Sequence, residues 1–321
     1  MEISVIIPTY RRPQLLKKCL MALQAQKYNK RQYEIIVVSD GPDPETQKLA
    51  RDLAQQRITS LRFLSMPVKK GPAAARNYGW MNAGNKIIAF TDDDCLPDQY
   101  WLKTIAENLN PDQEEAITGR IIVPRDKRPT DCEQNTAGLE SADFVTANCA
   151  CTRAALLKTG GFDEQFSMAW REDSDLEFKL IRENIPIKHI ETAIVVHPVR
   201  IAKWGVSIKE QKKTLYNALL YKKYPELYRR KIQPRPAFLY YAIIAAFVVM
   251  TTGFLLHTYW MGIIGFYIWL FLTFNFIIKR LYTTRLSARH ITEMVVTSFI
   301  IPFLSIYWQW YGAIKYKVFF I

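Results

Sequence analysis

The sequence predicts an α/β fold in which a doubly wound, mostly parallel sheet is followed by C-terminal transmembrane or interfacial helices. Strand-like and helix-like segments alternate through about the first 200 residues, which is typical of a parallel sheet covered by helices. Residues 237–278 then run for 42 positions without Lys, Arg, Asp or Glu. We therefore expect a soluble domain at 1–200, a basic amphipathic membrane-proximal segment at 201–236 and a membrane region at 237–321.

The alternation begins with a βαβ pattern. The β-branched runs Ile3 to Pro8 and Glu34 to Ser39 flank a helical pattern of apolar residues from Leu15 to Leu23. The elements that follow are predicted as a helix at Pro44 to Arg57, a strand at Leu61 to Met66, a helix opened by Gly71-Pro72 and a strand at Lys86 to Thr91. Ligands of such a sheet gather at the carboxyl ends of its strands.

The second half of the soluble domain is less regular. Its predicted elements are strands at Ala116 to Pro124, Val145 to Thr152 and Ala193 to Val196, a charged loop at Arg125 to Gly138, a short helix at Ala154 to Lys158 and an amphipathic helix at Leu176 to Glu183. The helix at Leu176 follows the acidic stretch Glu172-Asp173-Ser174-Asp175.

Much of the formal charge of +13 lies in one segment. Residues 199–235 hold eleven Lys or Arg against Glu210 and Glu226, so the segment contributes 11 minus 2, or +9. Such a run can be a solvated face, a nucleic-acid site or a surface for anionic lipid headgroups. Its position directly before the apolar tract favours the membrane, where each basic residue contributes about 1 kcal/mol. We therefore expect contact with anionic lipid and no nucleic-acid partner.

The apolar tract is long enough for two crossings. As one helix, residues 237–278 would measure ~63 Å, about twice the ~30 Å of the hydrocarbon core. A break at His257-Thr258 gives two helices, at about 237–256 and 259–278, with basic residues on both outer flanks. Such flanks are typical of the cytoplasmic side. A third uncharged stretch, residues 294–314, contains Pro302 and an aromatic cluster, and its composition suits either a membrane span or an interfacial helix.

The cellular compartment is predicted from the cysteines and the N-terminus. Five cysteines, with no C-x-x-C pair and no metal-type spacing to a histidine, do not suggest a disulfide framework. The N-terminus has no basic region of the signal-peptide type. We therefore expect the soluble domain in the cytoplasm, on the inner face of the cell inner (plasma) membrane.

Three polar signals follow predicted strands. Tyr10 and Arg11 follow the first strand, Asp40-Gly41 the second, and Asp92-Asp93-Asp94 the fourth. Each alone could be an ordinary turn. Because the carboxyl ends of parallel strands share one edge of the sheet, their coincidence indicates a ligand site there.

The three aspartates suggest a metal site. In an extended chain Asp92 and Asp94 point together and Asp93 points away, and two converging carboxylates repel unless a cation lies between them. Mg²⁺ or Mn²⁺, which prefer oxygen ligands, would relieve this repulsion and could also bind phosphate. Asp40 could accept a hydrogen bond from a nucleobase or ribose, and Arg76 could bind phosphate or be a surface helix residue.

Taken together, these motifs resemble family 2 glycosyltransferases of the GT-A fold, which act as inverting enzymes on nucleotide-sugars. The matching segments are Ser4-Val5-Ile6-Ile7-Pro8-Thr9-Tyr10, Asp40, Gly71 to Asn77, Asp92 to Asp94, Gly160-Gly161-Phe162-Asp163-Glu164 and Glu172-Asp173. They occur in the family's order and cover about residues 3–200. Each motif is weak alone, but the set is specific.

The resemblance implies a donor site for a nucleotide-diphosphate sugar. Pro8 and Tyr10 would flank the nucleobase and Asp40 would bond to it. Asp92 would lie near the ribose or donor sugar, with Asp93 beside it in the same site. Arg76 would contribute to the phosphate side of this site.

The resemblance also implies a metal and a base. Asp94, with Asp92, would bind Mg²⁺ or Mn²⁺ on the diphosphate, and His197 is either a further ligand or a structural histidine. Asp173 would be the general base, with Glu172 as the alternative base. Without the resemblance, Glu172, Asp173 and Asp175 would be interpreted as capping a helix.

The expected activity is transfer of a sugar to a lipid-linked or envelope glycan acceptor, as in polysaccharide biosynthesis. A polyprenyl-phosphate glycosyltransferase that charges a lipid carrier is the first alternative, and a non-catalytic membrane-tethered nucleotide-binding scaffold is the second. Processive synthases carry Gln-x-x-Arg-Trp near the end of this domain, where this chain has Arg200-Ile201-Ala202-Lys203-Trp204. We therefore expect addition of one or a few sugars.

Overall fold

The computed structural model describes residues 2–56 and 58–320. Contacts divide the chain into two compact units. The first unit comprises the chain up to Pro124 together with Ala137–Val199, and the second comprises Arg125–Thr136 and the chain from Arg200 onward. The expected domain boundaries at 200 and 236 stay a prediction. Residues 125–136, expected to be a loop of the soluble domain, group with the C-terminal helices.

The first unit is built on one mixed sheet. Across the described residues its eight strands are β1 (Ile3–Thr9), β2 (Tyr33–Ser39), β3 (Ser60–Ser65), β4 (Ile87–Phe90), β5 (Leu96–Pro97), β6 (Ala116–Ile122), β7 (Cys149–Thr152) and β8 (Ile187–Val196). Their order in the sheet is β3-β2-β1-β4-β7-β6-β8-β5. The predicted α/β class is confirmed.

Most helices of this unit were predicted, but the helix Trp101–Asn108 between β5 and β6 was not. The helices are α1 (Pro13–Gln24), α2 (Pro44–Gln55), α3 (Pro72–Met81), α4 (Trp101–Asn108), α6 (Arg153–Thr159) and α7 (Glu172–Arg182). Helix α5 (Asp131–Ala137) belongs to the second unit up to Thr136. Arg57, the predicted end of the second helix, lies outside the described residues. Helix α5 occupies part of the stretch that was expected to be a loop.

The strands in one half of the sheet are all parallel, whereas the other half combines parallel and antiparallel pairs. β1 pairs in parallel with β2 and β4, and β2 pairs in parallel with β3. β7 runs antiparallel between β4 and β6, with Phe90 opposite Cys149. Strand periodicity specifies which side chains are buried but not the direction of the strand, so the sequence could not predict this reversal.

The sheet separates two apolar layers. Along β1, Ile3, Val5 and Ile7 face the layer that includes α1 and α4, and Ile6 faces the layer that includes α3. Both faces of the central strands are therefore covered, which leaves the strand ends and the loops after them for ligand binding.

The second unit is helical. Its remaining helices are α8 (Val206–Glu210), α9 (Leu215–Lys223), α10 (Pro225–Lys231), α11 (Phe238–Leu255), α12 (Tyr259–Leu281) and α13 (Ala288–Lys315). Among the described residues, α11, α12 and α13 are the helices whose length and composition would allow them to cross a membrane. The predicted break at His257-Thr258 is confirmed, and the third apolar stretch is part of a longer helix that runs through Pro302.

Helices α11 and α12 form a hairpin with close backbone contact. A Cβ atom at Gly253 would lie 2.3 Å from the backbone nitrogen of Gly262, and one at Gly265 would lie 2.5 Å from that of Met250. Small residues that let two helix backbones approach are typical of helix packing in membranes. These glycines therefore set the spacing of the hairpin.

Residues 125–136 are held against α12 by ion pairs. Arg280 pairs with Asp131 at 2.9 Å and donates to the hydroxyls of Thr297 and Ser298 at 2.7 and 2.9 Å. Arg285 pairs with Asp126 at 2.5 Å. The acidic residues of this segment thus neutralise part of the basic flank that follows the hairpin.

Candidate active site

The polar strand ends meet at one edge of the sheet. β1, β2 and β4 are parallel neighbours, so Tyr10, Asp40 and Asp92 follow strands whose carboxyl ends lie side by side. This confirms the shared edge that the sequence predicted. Tyr10 is half-buried at this edge, whereas Pro8 is buried within β1.

A group of metal-ligating side chains lies beside this edge. Asp92, Asp94, Cys95 and His197 each offer one ligand atom, and these four atoms lie within 4.8 Å of one another. His197 Nε2 is 3.8 Å from Asp94 Oδ1. The structure therefore brings His197, which follows β8, to the aspartates that follow β4.

The residues of this group fit a divalent cation. Within the described part of the chain, the buried Nδ1 atom of His197 has no hydrogen-bond partner. The Asp92 side chain is 25% exposed, so the group is open to solvent on one side. Two carboxylates and an imidazole suit Mn²⁺ or Mg²⁺ better than a soft metal.

Cys95 is a member of this group that the sequence analysis missed. It directly follows the three aspartates, and that adjacency is the signal that could have identified it. Burial, together with Asp92 and Asp94, raises the pKa of its thiol well above the usual value. Mg²⁺ and Mn²⁺ prefer oxygen ligands, so the carboxylates and the histidine are better candidates for metal binding than the thiol.

Asp93 lies outside this group, as expected, but not because of strand alternation. Residues 92–95 form a turn closed by a hydrogen bond from the Cys95 N–H to the Asp92 carbonyl at 3.1 Å. Asp93 Oδ2 accepts a hydrogen bond from the Thr9 hydroxyl at 2.8 Å, and Asp93 Oδ1 lies 3.2 Å from Arg12 Nη1. These contacts tie the end of β4 to the end of β1. The assignment of Asp93 to the donor site stays a prediction.

Arg76 connects Asp92 to α7. Its guanidinium is buried and bonds to Asp92 at 2.8 Å and to Glu172 at 3.2 Å. Burial lowers the pKa of Arg76, but the two carboxylates outweigh this effect and raise it above its usual value. The structure therefore places Arg76 inside an ion-pair network, where a phosphate would compete with both carboxylates.

Glu172 and Asp173 lie in the first turn of α7 and differ in exposure. Glu172 is buried against Arg76, and burial together with Asp173 raises its pKa to about 7. Asp173 is partly exposed, and its Oδ1 accepts a hydrogen bond from the Ser174 N–H at 2.7 Å. Burial raises the pKa of Asp173 above its ordinary value, although the Ser174 N–H opposes this shift.

The acidic stretch does not cap α7 in the usual way. The N-cap residue is Arg171, which has a left-handed φ of 73° and no side-chain capping bond. Glu172 pairs with Arg76, and Asp175 lies 3.4 Å from Lys179. The partly exposed Asp173 is therefore the carboxylate of this turn that an incoming hydroxyl could reach.

Asp40 holds the loop that leads into α3. Its carboxylate accepts hydrogen bonds from the backbone N–H groups of Lys70 at 2.7 Å and Gly71 at 3.0 Å. Lys69 Nζ lies 4.2 Å from the centre of the Tyr10 ring, a cation–π contact at the same edge. Asp40 thus shapes this part of the site, and its bond to a nucleobase stays a prediction.

Gly71 allows the loop to pass close to the chain before α7. Its φ is +110°, and a Cβ atom there would lie 2.4 Å from the carbonyl oxygen of Ser167.

We expect Gly71→Ala to destabilise the chain by about 1–3 kcal/mol and to weaken nucleotide binding, because the loop held by Asp40 must shift. Thermal unfolding and nucleotide titration measure the two effects.

Gly138→Ala is the matched control for this substitution. Gly138 is exposed, and a Cβ atom there would meet no atom within 4 Å. We expect Gly138→Ala to change stability by less than about 0.5 kcal/mol. Equal effects of the two substitutions would contradict the role given to Gly71.

Asn77 fastens the Gly160–Glu164 segment to α3. Its Nδ2 donates to the Phe162 carbonyl at 2.9 Å and to Glu164 at 3.1 Å, while its Oδ1 accepts from the Phe162 N–H at 3.0 Å. Phe162 packs edge-on against Phe90 of β4. The segment is therefore tied to α3 by hydrogen bonds and packs against the strand that precedes the aspartates.

Comparisons with known proteins agree with this geometry. Residues 4–162 match the sequence model described as glycosyl transferase family 2. The glycosyltransferase AglE of Haloferax volcanii is 34% identical over 119 residues, covering 37% of this chain and 39% of that protein. The GalNAc(5)-diNAcBac-PP-undecaprenol beta-1,3-glucosyltransferase of Campylobacter jejuni is 32% identical over 176 residues, covering 51% and 56%.

A solved structure supports the fold. The mannosyltransferase PcManGT from Pyrobaculum calidifontis, in complex with GDP-Man and Mn²⁺, superposes with a TM-score of 0.58 at 15% identity, covering 98% of this chain and 87% of that chain. This chain spans only about two fifths of the length of the curated relatives that it matches first, 39% of AglE and 39% of the chondroitin synthase of Escherichia coli.

Proposed function

Because the chain belongs to glycosyltransferase family 2, we propose that it transfers a sugar from a nucleotide-diphosphate sugar to a lipid-linked or envelope glycan acceptor, with inversion at the anomeric carbon. The observation that carries this proposal is the network in which Arg76 joins Asp92, a member of the metal-ligating group, to Glu172, the neighbour of Asp173. A metal-ligating group and a candidate base are thereby connected in one site.

The chemical step is a single displacement. An acceptor hydroxyl oxygen attacks the anomeric carbon, the bond from that carbon to the diphosphate oxygen breaks, and the nucleoside diphosphate leaves. Asp173 takes the hydroxyl proton as general base. The buried Glu172 is the alternative base, and its pairing with Arg76 favours a positioning role instead.

The donor side of the site would be formed by the strand ends. Pro8 and Tyr10 flank the nucleobase and Asp40 bonds to it in this proposal. Asp92, Asp94 and His197 would hold Mg²⁺ or Mn²⁺, which when bound offsets negative charge on the diphosphate. Arg76 keeps the Asp92 carboxylate oriented at 2.8 Å.

Two observations support the proposed acceptor, the composition of the second unit and the name of one relative. The basic segment and the apolar helices α11, α12 and α13 suit association with a membrane. The name of the Campylobacter jejuni relative refers to an undecaprenol-diphosphate-linked glycan. We propose a similar lipid-linked acceptor at the cytoplasmic face of the inner (plasma) membrane.

Release of nucleoside diphosphate tests this proposal. The purified full-length chain, in detergent, is given UDP-, GDP- and dTDP-sugars with a lipid-linked oligosaccharide or with polyprenyl phosphate. We expect turnover with one donor, loss of turnover in EDTA and recovery with Mn²⁺ or Mg²⁺. The acceptor that is glycosylated separates the main proposal from charging of a lipid carrier.

Asp94→Ala tests the metal role directly. We expect at least about a 100-fold loss of turnover that added Mn²⁺ does not restore, since the metal contributes several kcal/mol to the transition state. Asp52→Asn, an exposed aspartate on α2, is the control and should keep full turnover. Metal-independent turnover in wild type and Asp94→Ala alike would show that the metal role is wrong.

A further inference from the structure

The second unit contains a cavity of about 670 Å³. It is lined by the first turn of α11, the last turns of α12, the second half of α13 and polar side chains from the segments around Gln134 and Gln211. All of its lining residues belong to the second unit. Its volume lies in the range of small-molecule sites.

The wall of this cavity is amphipathic. Phe238, Leu239 and Phe276 supply apolar surface, whereas Gln211 and Gln233 supply amides. A ligand with an apolar chain and a polar head would match both parts of this wall. A fully polar solute would leave the aromatic surface without a partner.

The cavity carries positive charge that is not neutralised within the described structure. Arg280 lines it, but its charge is already paired with Asp131 at 2.9 Å. The neighbouring Lys279 is exposed and has no ion pair with any described residue. The first turn of the 18-residue helix α11 adds the positive end of a helix dipole.

Gln309 supplies an independent indication of a ligand. Its side chain lines the cavity and is only 6% exposed, yet among residues 2–56 and 58–320 its Nε2 finds no hydrogen-bond partner. A buried amide donor without a partner is costly. An acceptor atom of a ligand in the cavity would satisfy it.

We propose that this cavity binds the phosphate group of a membrane lipid. Lys279 and Gln309 bond to the phosphate oxygens, and Phe238 and Phe276 pack against the first carbons of the chain. Phe238 begins the first long apolar helix and Lys279 follows the uncharged tract, so both lie next to the basic flanks, where lipid headgroups are expected. The proposal uses no residue of the first unit and does not depend on sugar transfer.

Native mass spectrometry of the full-length chain in detergent tests this inference. The chain is titrated with phosphatidylglycerol, with a polyprenyl monophosphate, with diacylglycerol and with inorganic phosphate. We expect retention of one phosphorylated lipid, roughly tenfold preferred over diacylglycerol, and weaker binding of inorganic phosphate. If phosphatidylglycerol binds more tightly than the polyprenyl monophosphate, the cavity is a phospholipid site. If the polyprenyl monophosphate binds more tightly, the cavity is an isoprenoid site. Either result supports the proposal.

Substitutions assign the binding to this cavity. We expect Lys279→Ala and Gln309→Leu each to weaken lipid binding roughly tenfold, and Lys222→Ala, an exposed lysine of α9 outside the cavity, to change it less than about twofold. Thermal unfolding confirms that each variant is folded. In the ligand titrations, the proposal is overturned if diacylglycerol binds as tightly as the phosphorylated lipids, or if inorganic phosphate does. Among the variants, it is overturned if both cavity substitutions leave lipid binding as in wild type, or if Lys222→Ala weakens lipid binding as much as they do.

Discussion

Asp173→Asn is expected to lower kcat about 1,000-fold, within the range that a general base contributes. Asparagine keeps the size of the side chain but cannot accept the proton of the attacking hydroxyl. Asp173 is partly exposed and lies outside the metal-ligating group, so donor binding should change little. Steady-state kinetics and nucleotide titration of the same preparation measure the two quantities.

Glu172→Gln is the comparison that assigns the base. Glu172 is buried and paired with Arg76, so we expect its loss to lower turnover less than the loss of Asp173. If Glu172→Gln stops transfer and Asp173→Asn leaves it intact, Glu172 is the base. If both variants turn over normally, the displacement mechanism given above is wrong.

Arg76→Met is expected to destabilise the chain by about 3–5 kcal/mol at neutral pH, because it leaves the buried Glu172 and the neighbouring Asp92 without their cation. Methionine fills a similar volume without charge. Thermal unfolding in EDTA isolates this effect from metal binding. Lys86→Met, which removes the exposed pair with Asp112, is the control and should cost at most about 1 kcal/mol.

The size of this effect should depend on pH. The folded-state pKa of Glu172 is raised to about 7, and removal of Arg76 raises it further, because Arg76 lowers it. A carboxyl whose folded pKa is raised contributes stability below its unfolded pKa and loses that contribution as pH rises through the folded pKa. The deficit of Arg76→Met should therefore be smaller near about pH 5.5 than near about pH 8. A deficit that is constant across this range would contradict the buried pairing.

The sequence was sufficient for the parts of the fold that depend on local patterning. The β-branched runs of β1 and β2 predict strands and the uncharged tract before Lys279 predicts apolar helices, and the structure has both there. The direction of β7 and the grouping of residues 125–136 with the C-terminal helices depend on pairing between distant segments. Such pairing leaves no periodic signal in one sequence.

The residues of the candidate site also divide into those whose placement the sequence predicts and those whose placement it does not. The common edge of Tyr10, Asp40 and Asp92 followed from parallel strands. The separation of Asp93 from the metal-ligating group was expected from side-chain alternation, but in the structure it arises in the turn from Asp92 to Cys95. The Arg76 network could not be predicted, because it joins residues far apart in the chain. The proximity of Asp94 and His197 could not be predicted for the same reason.

The glycine contacts between α11 and α12 bear on the order in which the chain assembles. Gly253 and Gly265 bring two consecutive helices together across a short connection, and their packing needs no other part of the chain. Within a bilayer, where apolar surface gives no drive to associate, such close backbone packing can hold a helix pair by itself. In the proposed membrane region the hairpin should therefore form first, and α13 should dock onto it afterwards.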